Sequence, residues 1–335
     1  MKRVTYILLL LMLGYALPGH AAEEKEGTLN VSEVIFEHLG DAYEWHITGN
    51  LTIPLPCILY SSEAGWNVFM SDRLEDGKAY GGYHIDTKSG KIVDKAGARP
   101  FDISITKNVM ELFIVCFILC SVVLGLAAWY RRNGYKKAPG GFVGMMEAVI
   151  GFIDQDVSKA NIGHGYERFT PYLATVFLFI LTCNLLGLIP VWPGGANLTG
   201  NIAVTMTLAI CSWVAINFFA PKSYFKSIFW PDVPTFLKAP LPIMPTIEFI
   251  GVFTKPFSLT IRLFANIFAG HTIILALTCI IFVTWQVGAV IGVPMTVVSV
   301  LFCIFMNCLE LLVAFIQAYV FTLLTASFIG LAHNE

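Results

Sequence analysis

Apolar residues along this chain gather in long runs separated by short polar breaks. Val109 to Trp129, Tyr172 to Ile189 and Ile202 to Phe219 each read as a membrane-spanning helix, for which roughly 20 residues are needed. From Ile247 to Ala332 the apolar character barely stops. Its one convincing break is "TWQVGAVIGVP", Thr284 to Pro294. That leaves two segments of roughly 38 residues, or about 57 Å each if helical, against a hydrocarbon core of about 30 Å. Either each segment breaks in its middle, or the two form a strongly tilted hairpin. The pattern predicts an all-α polytopic membrane protein of about five transmembrane helices, ending in a long tilted helical hairpin.

Two stretches follow other patterns. In "GGFVGMMEAVIGFIDQDVSKANIGHGYERF", Phe142, Met145, Met146, Val149, Ile153 and Val157 recur at helical spacing while Glu147, Asp154, Asp156 and Lys159 interrupt them. This predicts a helix lying along the membrane surface. Between Glu23 and about Thr106 the chain is polar, with strand-like pieces "WHITGNLTIPLPCILY" and "YGGYHIDTKSGKIV" bounded by Gly, Pro and Asp turns. This predicts a small, partly β domain. Ahead of it, Lys2 and Arg3, the apolar run Val4 to Leu17 and small residues at Ala21 and Ala22 have the layout of a cleavable secretory signal, with an uncleaved anchor as the alternative. The expected organisation is a signal at residues 1–21, an extracytoplasmic domain at 22–106 and a membrane domain at 107–335.

Charge sets the orientation. Arg131, Arg132, Lys136 and Lys137 follow the first span, and Lys222 and Lys226 follow the third, so both loops are expected on the cytoplasmic side, with the N-terminal domain exported and the C-terminus cytoplasmic. Of 335 residues 56% are hydrophobic and 13% charged, against about 25% charged in a soluble domain. A net charge of −2 offers no basic surface for nucleic acid. Only Cys57 of eight cysteines precedes the spans, which excludes a disulfide within the exported portion. His38, His46 and His84 lack partners at metal-ligand spacing, and no G-x-x-x-x-G-K-[ST] loop is present for a nucleotide.

The chemistry is expected in the last two segments, whose ionisable residues are Glu248, Lys255, Arg262, His271 and Glu310. In a helix Ser258, Arg262 and Asn266, spaced by four, form one stripe, with Glu248 close to the same face about 21 Å away. His271 points to the opposite side. Asn307, Glu310 and Gln317 also align. The amides could merely bond packed helices together, and His271 with Glu310 could be a structural pair. An arginine some fifteen residues into an apolar segment costs roughly 2.5–3.5 kcal/mol on insertion scales, and no acidic residue lies within one helical turn of it. Titratable groups plus amides make a proton path, and a permanent guanidinium makes an electrostatic gate.

"KPFSLTIRLFANIFAGH" resembles the signature of subunit a of the membrane sector of F-type ATP synthases. The likeness extends to "VGMMEAVIGFIDQDV", "FILTCNLLGLIPVWP" and "LELLVAFIQAYVFTLLT", covering about Thr106 to His333. It implies two offset half-channels carrying protons, or Na⁺, to and from a rotating ring of small subunits, the c-ring. Arg262 matches the essential gate arginine facing that ring. Asn266 and Gln317 match positions lining the exported half-channel, with His271 and Glu310 as its titratable pair, and Ser258 and Glu248 match positions on the cytoplasmic path or ring interface. The implied partners are the c-ring, b-type peripheral stalk subunits, the other ATP synthase subunits and the lipid bilayer of a bacterial inner membrane. The resemblance calls for no cofactor and no metal. The rival reading from the residues is a haem-carrying electron-transfer subunit, which needs paired axial ligands where only His271 lies deep.

Overall fold

The structure, a computed structural model, describes residues 40–48, 51–61, 65–77, 79–86, 90–95, 97–134, 138–189, 194–218, 220–229 and 243–334. The predicted signal, His38, Lys136, Lys137 and most of the Pro-rich "PDVPTFLKAPLPIMP" lie outside them. Two compact units are present, one ending at Met110 and one beginning at Glu111.

The first unit is built of short antiparallel pairs. β1 (Glu44–Thr48) pairs with β2 (Leu51–Pro54), and β3 (Pro56–Ser61) lies between β4 (Gly65–Met70) and β7 (Phe101–Asp102). β5 (Tyr83–Ile85) pairs with β6 (Ile92–Asp94). Alternation along β3 turns Cys57 and Leu59 inward to join Tyr43, Phe69, Leu74, Tyr83 and Ile92 in one core. Burial and the adjacent Asp102 carboxylate push the Cys57 thiol up to about 12. The Tyr43 hydroxyl, which donates to Asp102 at 2.5 Å, is raised by its burial and by that bond.

The second unit is helical. α1 (Lys107–Asn133) ends on Arg131 and Arg132, cations that suit a helix C-terminus. α2 (Gly141–Phe152) continues through a π-helical stretch, Ile153–Lys159, into one last α turn, Ala160–Ile162. Its second half buries Ile153, Val157 and Ile162, while Phe142 and Met145 at its start stay exposed. α3 (Thr170–Gly187) opens with Pro171, whose missing N–H costs nothing in a first turn. α4 (Ile202–Phe218) and α5 (Lys222–Phe229) precede α6 (Ile243–Val287) and α7 (Ala289–Asn334). Among the described residues four helices, α1, α3, α6 and α7, are long and apolar enough to cross a membrane. The span expected from Ile202 is the shorter α4, of 17 residues, about 25 Å.

Neither of the last two helices breaks. Pro256 and Pro294 sit inside continuous helices of 45 and 46 residues, each about 68 Å long, so of the two alternatives for these segments the chain adopts the hairpin. Gly288 at φ +138°, a backbone closed to side-chain-bearing residues, makes the turn. Three contacts set the register: Trp285 Nε1 donates to Thr296 Oγ1 at 3.0 Å, Thr278 lies beside Cys303, and His271 bonds Glu310. Each contact steps seven residues along both helices, the repeat that keeps one seam facing its partner. On α7, Ala314, Ala318, Thr322, Ala326 and Gly330 form a buried stripe spaced by four, which lets neighbouring backbones approach closely. A Cβ on Gly330 would lie 2.1 Å from the Asn161 carbonyl oxygen.

Candidate functional site

The hairpin presents its polar residues in two places. α6 buries Val252, Leu259, Leu263 and Ile267 on one side, and on the side it leaves uncovered lie Ser258 and Asn266, both exposed, with Arg262 half-buried between them. Among the described residues no hydrogen bond or ion pair engages the Arg262 guanidinium. Glu248 is exposed, four turns earlier on the same helix.

The second place is enclosed. His271 Nδ1 bonds Glu310 Oε1, with Glu310 only 4% exposed. Its other nitrogen, Nε2, lies 3.2 Å from the carbonyl oxygen of Gly187 at the end of α3. A carbonyl can only accept, so Nε2 carries a hydrogen and Nδ1 is the atom that faces the carboxyl group. In that arrangement a single proton can sit between Nδ1 and the carboxyl group. Either a neutral imidazole accepts from a protonated Glu310, or an imidazolium donates to its carboxylate.

The enclosure depends on several neighbours. The carboxyl group of Glu310 passes so close to Gly270 that a Cβ there would lie 2.9 Å from Oε1. One turn further along α7, Asn184 Nδ2 donates to the Ala314 carbonyl at 3.1 Å, and Asn184 Oδ1 accepts from Thr199 Oγ1 at 2.8 Å. These buried bonds tie α3 and the loop after it to α7 beside the pair. Gln317 is buried on the face of α7 that carries Glu310 and Ala314. Asn307 spends its amide on the Cys303 carbonyl of its own helix, at 2.8 Å.

The structure thus brings His271 and Glu310 together and sets Ser258, Arg262 and Asn266 on another face. No hydrogen bond among the described residues joins Asn266 to Gln317. Gly187, Asn184, Thr199 and Gly270 are contributors that sequence reasoning missed. Gly270, Asn184 and Gly187 fall inside two of the quoted signature stretches, and that is the signal by which they could have been found. In the first unit His84 is half-buried, and no group of three or more His, Cys, Asp or Glu among the described residues is placed to hold a metal.

Comparison with known proteins gives two family matches. The model of the ATP synthase A chain matches residues 110–330, and that of a domain of unknown function (DUF8433) matches residues 34–111. Relatives named ATP synthase subunit a include one from Chlorobium phaeobacteroides (strain DSM 266), 48% identical over 73% of this chain and 70% of its own. One from Chlorobium phaeobacteroides (strain BS1) is 38% identical over 98% of this chain and 92% of its own, and one from Anaeromyxobacter dehalogenans is 35% identical over 95% and 77%.

Proposed function

The chain belongs to the ATP synthase A chain family, and on that premise we propose that it is the proton-translocating membrane subunit of an F-type ATP synthase. In this reading it forms two half-channels that pass protons to and from the c-ring. The peripheral stalk of b-type subunits holds it still, and the ion gradient becomes torque. At 100 mV each crossing charge releases about 2.3 kcal/mol.

The observation that carries the reading is the contrast on α6. The half-buried Arg262 has no partner among the described residues, whereas His271 and Glu310 close on each other. A guanidinium of permanent charge attracts a carboxylate supplied from outside the chain, and it repels a free proton that would bypass it. Asn266, Ser258 and Glu248 share its helix and would serve the ring side. His271, Glu310 and Gln317 would form the exported half-channel, with the proton passing between Nδ1 and Oε1. Both nitrogens of His271 are engaged by the protein, which argues against the haem reading.

The organisation follows the same reading: a signal at 1–21, an exported domain at 22–106, and a multi-pass membrane domain at 107–335 in a bacterial inner membrane with its C-terminus in the cytoplasm. A cysteine introduced at Asp76 should react with an impermeant thiol reagent from the exported side, and one at Lys136 from the cytoplasmic side. Reversed labelling inverts the assignment.

The exchange of partners tests the pair. His271→Ala and Glu310→Ala should each reduce ATP-driven pumping in inverted vesicles severely, because each strands a buried ionisable group. The double exchange His271→Glu with Glu310→His should pump clearly better than either exchange alone. A double no better than the worse single would sink the coupled pair.

A further inference from the structure

The three-stranded sheet of the first unit has an outer face that is apolar throughout. Its inner face holds Cys57, Leu59 and Phe69 in the core. The register places the outward residues in three ranks across the sheet: Trp66, Tyr60 and Phe101, then Val68, Ile58 and Ile103, then Met70, Pro56 and Ile105. Trp66 is 61% exposed, Val68 69% and Phe101 65%, and none of the nine positions bears a charge. Asp102 and Ser104 alternate to the opposite face, where Asp102, itself exposed, accepts from Tyr43 and the buried Ser104 Oγ accepts from the Ile58 amide. A half-buried sheet ordinarily gives its outer face polar residues, and a contiguous apolar patch marks a surface that something covers.

The chain itself indicates the cover. β7 runs on to Ile103 and Ile105 and enters α1 without a linker: the Lys107 amide donates to the Ala42 carbonyl at 2.9 Å, and the Asn108 amide to Asp41 Oδ1 at 3.2 Å. The apolar run of α1 begins at Val109, two residues on. The rank nearest that start is aliphatic, and the tryptophan and tyrosine lie in the rank farthest from it, about 14 Å along the strands. Aliphatic residues deep, with Trp and Tyr at headgroup level, is the order found across a membrane interface. We infer that the outer face of this sheet rests on the phospholipid surface where α1 enters the bilayer, with Val68, Ile58 and Ile103 among the acyl chains and Trp66 and Tyr60 at the headgroups. The inference stands apart from proton conduction and survives if that reading fails.

The test uses the full chain in phospholipid vesicles, with every cysteine except the buried Cys57 replaced. A nitroxide is attached at Val68→Cys, Phe101→Cys or the exposed control Asp72→Cys, and its relaxation is measured with oxygen, which partitions into lipid, and with a nickel chelate, which stays in water. The oxygen-to-nickel ratio should be several-fold higher at position 68 than at 72, intermediate at 101, and should fall at 101 when Trp66→Glu and Val68→Glu are added. Equal ratios at 68 and 72 would overturn the inference, leaving the face in water. So would protection at 68 from both relaxants, which would mean that a protein surface covers it: a second copy if the protection weakens on dilution in lipid, another bound protein if it does not.

Discussion

Arg262 and His271 lie nine residues apart on one helix, and the chain treats them in opposite ways. Around His271 it supplies everything: a carboxyl group from α7, a carbonyl from α3, and a glycine that lets the carboxyl group in. Around Arg262 it supplies no ionic or hydrogen-bonding partner among the described residues. A buried polar pair costs its desolvation and recovers it only if both members stay in place. A lone guanidinium on an uncovered face suits a partner that comes and goes. The difference separates a site whose partners all come from this chain from a charge that none of the described residues engages, as the proposed ring interface requires.

The sharpest way to break this comparison is to remove the charge. Arg262→Ala should lower ATP-driven pumping by about a hundredfold or more, equivalent to ~2.7 kcal/mol or more in the coupled barrier. Arg262→Lys should also fail to couple, since an ammonium lacks the planar fork. Normal pumping by Arg262→Ala in inverted vesicles would show that the uncovered charge is incidental.

A smaller loss is expected at the enclosed site without replacing His271 or Glu310. Gly270→Ala sets a methyl group against Glu310 Oε1 and should reduce pumping roughly tenfold, about 1.4 kcal/mol. Gly251→Ala, on the same helix with open space around it, should leave pumping unchanged. If both variants behaved alike, the close approach would have no functional weight.

Gly330→Ala probes what holds the enclosure in place. Its Cβ would meet the Asn161 backbone, so overpacking should cost about 1–3 kcal/mol of stability, read as a lower midpoint of thermal unfolding in detergent, while the residual folded protein still pumps. The mildest test carries the contrast to the other unit, where Cys57 is also enclosed. Its thiol is raised from an ordinary value of 9 to about 12, so its contribution to stability is present below pH 9 and fades as pH rises toward 12. Cys57 should resist a maleimide at pH 8 in the folded chain and react once the unit is unfolded.

The hairpin was legible because the apolar run has one break, and its turn falls at Gly288 within that break. The register was not. Counting from Gly288 leaves His271 and Glu310 five residues out of step, yet they touch. Gly292 packs against the Trp285 ring and backbone, and the Trp285–Thr296 bond moves the effective pivot two to three residues past Gly288. A seam of side chains fixes that offset, and no single residue type announces it. The Ser258, Arg262 and Asn266 stripe was legible because spacing by four needs only helical geometry. Asn184 was not, because a lone amide in an apolar helix looks the same whether it clamps a neighbouring backbone or faces nothing. The π-helical stretch in α2 was equally silent, since its residues keep helical spacing and only the hydrogen bonds change.

The unbroken hairpin has a mechanical side. A single helix about 68 Å long bends easily under a sideways load, whereas two rods bonded along a seam must shear past each other to bend, and they resist it. The bonds from Trp285 to Thr296 and from His271 to Glu310, with the cation of Lys255 5.1 Å from the Phe328 ring centre at the far end, act as rungs against that shear. If the proposed ring loads the chain at Arg262, the push is carried along the beam to its clamps, at Ala314 by Asn184 and at Gly330 by the end of α2, and the enclosed pair lies between the point of loading and the turn.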